Sequence, residues 1–139
     1  MLCKIKIKLR LRFILFCMTT AAPVFDLEKR SIAFALNVRD FLNIVHKTPA
    51  NKIYTSQLLR SSSSIGANYI EANDSLGRKD FVSKVKTSRR EARETCYWLQ
   101  LLALQKVQQL EQKQKLLIDE ATQLVRILSA IIQKVPVSE

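Results

Sequence analysis

The sequence predicts an all-α fold, an antiparallel up-down-up-down four-helix bundle, and three observations carry that prediction. Apolar residues recur at alternating steps of four and three through four successive segments, the spacing that puts side chains on one face of a helix. Glycine occurs only 2 times and proline only 3 times in 139 residues, too few for a turn-rich β architecture. No strand pattern separates the helical segments, which excludes an alternating α/β fold. Hydrophobic residues make up 47% of the chain, enough to fill one core and too many for a disordered tail.

The first helix carries the stripe Leu27, Ser31, Phe34, Val38, Phe41 and Val45. Asp26 is placed to cap it, Glu28 suits the positive end of the helix dipole, and His46-Lys47 suits the negative end. Thr48-Pro49 marks the break and the next start, with threonine as cap and proline at the first helical position. The second helix is predicted over residues 49–73. One stripe is Tyr54, Leu58, Ser61/Ser62, Ile65, Tyr69 and Ala72, and a second, about 100° around, is Leu59, Ser63, Gly66 and Ile70. Serine and glycine are poor helix formers, so this helix depends on being packed. Packing on two sides in so small a protein predicts a contact between subunits.

Residues 73–77, Asn-Asp-Ser-Leu-Gly, read as a loop. The third helix is predicted over residues 78–106 with the stripe Phe81, Val85, Ser88, Ala92, Thr95, Leu99 and Leu102. The fourth is predicted over residues 112–135, with Leu117, Ala121, Leu124, Leu128, Ile131 and Val135 flanked by Ile118, Val125 and Ile132. Pro136 ends it. The link near residues 108–111 holds neither glycine nor proline.

The N-terminus departs from this plan. Within residues 1–17, MLCKIKIKLRLRFILFC, positions 4–12 alternate basic and apolar with a period of two, and Phe13–Cys17 form a short apolar run. They resemble a weak secretory signal, but the apolar run is far too short to span a bilayer. Met18 is the alternative start, with residues 1–17 a spurious extension. The expected division is an extension over 1–22, the bundle over 23–136 and a tail over 137–139. The formal net charge is +11. The extension contributes five basic residues and no acidic one, and the remaining 18 against 12 leave a net charge of +6.

Little here points to catalysis. His46 is the one histidine, and no residue is spaced to activate the Ser61–Ser64 run as nucleophiles; these serines read as small helix-contact residues. Glu-x-x-His, CxxC, HExxH and glycine-rich phosphate loops are absent. Cys3, Cys17 and Cys96 have no metal-ligand spacing, and their scarcity fits a reducing cytoplasm. The expectation is no enzyme, no cofactor and no metal.

The basic residues say more. Lys79, Lys86, Arg90 and Arg93 fall at steps of 7, 4 and 3 on one face of the third helix, flanked by Arg78, Lys84 and Arg89. Glu91 and Glu94 lie off the centre of that row. Arg78 and Lys79 open the helix, where cations oppose its dipole. Such a face suits phosphates, giving affinity without sequence choice, and self-association multiplies it. Two other readings fit the residues. One is a protein-interaction scaffold whose charge is incidental. The other is an exported or membrane-surface bundle driven by residues 1–17.

Residues 57–102 bring a resemblance into view. Gln57-Leu58-x-Arg60, Ser64-Ile65-x-x-Asn68-x-x-Glu71, Asp80-Phe81 and Ser88…Glu91-Ala92…Glu94-Thr95 resemble the bacterial four-helix-bundle family of 23S ribosomal-RNA intervening-sequence proteins. Its members are encoded within insertions in large-subunit ribosomal RNA genes, though many stand alone. The resemblance covers residues 25–135 and begins just after Met18. Members often have glycine after the motif glutamate, where this chain has Ala72. The resemblance implies a left-handed bundle assembled as a homopentamer. The chain is also similar to the accessory protein of diversity-generating retroelements, a basic pentamer that binds nucleic acid and a reverse transcriptase. On this reading Leu59, Ser63, Gly66, Asn68, Ile70 and Glu71 serve helix packing and assembly, with Asn68 and Glu71 as hydrogen bonders between helices. Nucleic acid is the expected partner, structured RNA or RNA/DNA, with no membrane.

Overall fold

A computed structural model describes residues 26–136, so the expectations for the extension and for the tail at 137–139 lie outside the described residues. The described chain is all-α, with four helices and no strand. These are α1 (Leu27–Leu42), α2 (Pro49–Asn73), α3 (Arg78–Leu101) and α4 (Gln108–Lys134).

Local chemistry sets most of the helix ends. The Asp26 carboxylate accepts from the Lys29 backbone N–H at 3.0 Å, satisfying a donor that the first turn leaves free. The Thr48 hydroxyl accepts from the Asn51 N–H at 3.0 Å, with Pro49 at the first helical position. Three ends depart from the periodicity. α1 stops at Leu42, yet Val45 is buried by the turn that follows. That turn must reach an extended Thr48 ahead of Pro49, which helix cannot supply. α3 stops at Leu101 rather than near Lys106, and α4 starts at Gln108 rather than Gln112. Gln105 and Lys106 make the reversal in the left-handed region, at φ 53° and 57°.

Asn51 explains why the chain accepts that reversal. Its side chain is 1% exposed. Its amide donates to the carbonyls of His46 and Ala103, both at 2.9 Å, and its Oδ1 accepts from the Ala103 N–H at 3.1 Å. One buried side chain thus supplies backbone partners to the α1–α2 and α3–α4 links together.

α2 and α3 form the most extensively packed pair, α3 and α4 come next, and α1 lies on α2 with a smaller contact to α4. The core holds Phe34, Val38, Leu58, Ile65, Val85, Leu99, Leu124 and Leu128, none more than 1% exposed. Burying each of these large side chains stabilises the fold by about 1.5–3 kcal/mol. Small hydroxyls let α2 and α3 approach closely. Ser88 donates to the Ile65 carbonyl at 2.7 Å, and Thr95 donates to the Ser61 hydroxyl at 2.9 Å. Arg30 ties α1 to α4 through two hydrogen bonds to Glu120, of 2.6 and 3.0 Å.

Candidate nucleic-acid interface

α3 turns its core stripe of Val82, Val85, Ser88, Ala92, Thr95 and Leu99 inward. That fixes where its charges stand. Lys79, Lys86, Arg90 and Arg93 are exposed on one strip of the outer surface. None makes an ion pair with another described residue. Arg78 is exposed at the helix start. Steps of 7, 4 and 3 keep the four within one sector of the helix, and the strip rises about 21 Å from Lys79 to Arg93.

Two flanking residues have other employment. Lys84 pairs with Glu71 of α2. That hydrogen bond, reinforced by the charge of Glu71, raises the Lys84 pKa above its ordinary value. Arg89 is half-buried, with a long 3.4 Å contact from its Nη1 to the Ser129 hydroxyl of α4. The row open to a ligand is therefore narrower than the seven residues the spacing suggests.

The carboxylates of α3 lie along the flank of this strip. Glu94 accepts from Arg60 of α2 at 3.1 Å and from the Trp98 indole at 3.0 Å. Asp80 lies close enough to Lys84 to add to the rise in its pKa. Glu91 buries its Oε2. None of the three pairs with Lys79, Lys86, Arg90 or Arg93, which leaves the charge of the strip free of ion pairs among the described residues.

Tyr97 continues the strip one turn beyond Arg93. It is 56% exposed, and its ring stands edge-on to Trp98 with centroids 5.0 Å apart. Trp98 is itself packed against Tyr54 at 5.9 Å. Charge spacing alone missed Tyr97; the step of four from Arg93 is the signal that finds it.

The six residues expected to serve helix packing and assembly divide. Leu59, Ser63 and Ile70 are exposed on α2. Gly66 is buried within the chain and serves helix packing. A Cβ there would meet Ser31 Oγ of α1 at 2.8 Å, so its missing side chain serves the α1–α2 crossing. Among the described residues Asn68 donates to the Ser64 carbonyl of its own helix, at 2.8 Å, and not to another helix. Glu71 does reach a neighbouring helix, through Lys84. On α1, Ile32 and Leu36 are exposed one turn apart.

The Ser61–Ser64 run is occupied with helix hydrogen bonds. Ser62, Ser63 and Ser64 donate to carbonyls one turn back, and Ser61 accepts from Thr95. Cys96 is half-buried, and burial pushes its thiol pKa up. Among the described residues no group of three or more His, Cys, Asp or Glu side chains could hold a metal ion. No helix there is long and apolar enough to cross a membrane.

The chain is similar to a protein of unknown function from the S23 ribosomal protein family of Bacteroides thetaiotaomicron, whose crystal structure is known. The two are 32% identical with a TM-score of 0.65, over 77% of this chain and 98% of that one. No functionally curated protein matches the sequence. The family model described as 23S rRNA-intervening sequence protein matches residues 25–130, most of the chain and all of α1 to α3. The protein belongs to the 23S rRNA-intervening sequence protein family.

Proposed function

We propose that the protein is a non-enzymatic, self-assembling helical bundle that holds nucleic acid, structured RNA or RNA/DNA, on the outer strip of α3. The observation that carries this reading is the sorting of charge on that helix. Lys79, Lys86, Arg90 and Arg93 are exposed and free of ion pairs among the described residues, while Glu94 on their flank is taken by Arg60 and Trp98 and Glu91 buries its Oε2. Four unpaired cations along one strip suit a backbone of phosphates, and the contact selects for charge rather than sequence.

The bundle is read as antiparallel up-down-up-down. Asn73 at the end of α2 donates to Glu28 at the start of α1, which supports it. So do the paired levels of Ser88 with Ile65 and Thr95 with Ser61, and of Arg89 with Ser129 and Cys96 with Thr122. Assembly as a homopentamer follows the family. Exposed Leu59 and Ile70 on α2, with Ile32 and Leu36 on α1, supply apolar surface for it. The same surface favours the second reading, a scaffold for another protein such as a reverse transcriptase. The proposed setting is the cytoplasm.

Charge reversal tests the strip. Lys86→Glu, Arg90→Glu and Arg93→Glu together should abolish binding to a structured RNA in fluorescence anisotropy and leave helix content unchanged in circular dichroism. Unchanged affinity would remove the strip from the reading. Recovery of a stoichiometric protein partner from nuclease-treated lysate, with no RNA affinity, would favour the scaffold.

A further inference from the structure

Resting on the nucleic-acid reading above, we infer that Tyr97 is a stacking platform for one unpaired base, so that the strip's ligand is a single-stranded segment. Tyr97 shares the sector of Lys79, Lys86, Arg90 and Arg93, four residues beyond the last of them. The row from Lys79 to Tyr97 rises about 27 Å, long enough to follow several nucleotides. Its first four side chains are cationic and its last is aromatic, the pairing that recognises the phosphates and the π-face of a single strand.

Two features set Tyr97 apart from an ordinary surface tyrosine. More than half of the residue is open to solvent, at 56%. It is also braced. Trp98 meets the ring edge-on at 5.0 Å, and Trp98 is held by its indole hydrogen bond to Glu94 and by Tyr54. A braced ring loses little freedom when a base settles on it, which favours binding. Bases inside a duplex already stack on their neighbours, and an unpaired base leaves a face for Tyr97. The cations alone would bind duplex and single strand alike; the aromatic ring supplies the preference.

The test compares two fluorescein-labelled probes on the full-length chain: an oligouridylate of about 16 nucleotides and an RNA duplex of equal length. The unmodified chain should bind the single strand more tightly. Tyr97→Ala should weaken that binding by about tenfold or more, leave duplex affinity unchanged and keep the assembly size seen in light scattering. Tyr97→Phe should retain the preference. Irradiation of a 5-iodouracil strand should cross-link to the peptide carrying Tyr97. No preference for the single strand, equal loss on both probes, loss of assembly, or a Tyr97→Ala variant that binds as before would each overturn the inference. Those outcomes, with Lys86, Arg90 and Arg93 still required, would leave the phosphate-binding strip standing. Failure to bind either probe would end both readings.

Discussion

Asn51 and Gly66 show how single side chains set the geometry of this bundle. Replacing Asn51 with alanine would leave buried backbone groups of His46 and Ala103 without partners. The expected loss is about 2–4 kcal/mol in urea unfolding. Gly66→Ala should cost about 1 kcal/mol, because the added methyl meets Ser31 Oγ and outweighs alanine's better helix propensity. Combining it with Ser31→Ala should recover part of that loss in a double-mutant cycle. Asp26 brings a pH dependence. Its hydrogen bonds from Lys29 hold its carboxyl below the ordinary value of 3.8. A group depressed by folding contributes stability above its unfolded pKa and loses it as pH falls through the folded one. The stability due to Asp26 is thus complete at neutral pH and fades below about pH 4. Asp26→Asn, which keeps a capping acceptor without the charge, should melt with a shallower acid limb.

At the scale of elements, sequence signals located the helices better than their ends. Thr48-Pro49 and the Asn73–Gly77 run are chemical punctuation, and α2 has the bounds they predict. The α3–α4 link has no such residues. It forms because Asn51, more than fifty positions away, supplies the partners of Ala103, and no local pattern carries that information. The strain of that solution is testable. Left-handed backbone costs a residue with a side chain about 1–2 kcal/mol, partly offset by glycine's greater freedom when unfolded. Lys106→Gly should therefore raise stability by about 0.5–1 kcal/mol. The basic strip was legible as a periodicity. The diversion of Lys84 to Glu71, and the partial burial of Arg89 beside α4, needed the neighbouring helices. Which helix packs on Gly66 needed them too, and it is α1. A small residue marks a close approach but does not say whether the approaching helix belongs to the same chain.

For the whole molecule, the charge sorting on α3 and the apolar surface on α1 and α2 suggest a division of labour. On the proposed reading one surface serves assembly and another holds the ligand, so each should be separable by mutation. Leu59→Glu with Ile70→Glu should reduce the assembly size in sedimentation velocity while each chain keeps its helix content. RNA affinity should then fall through lost multivalency, with the salt dependence per strip unchanged. That salt dependence tests the central claim most directly. Binding of the full-length chain to a single-stranded RNA should weaken linearly in log K against log salt, with about 0.7 of slope for each phosphate neutralised. Arg90→Gln with Arg93→Gln should flatten the slope by about 1.4 for each strip engaged. A slope identical to that of the unmodified chain would contradict the account, because the two exposed arginines at the centre of the strip would then be touching no phosphate.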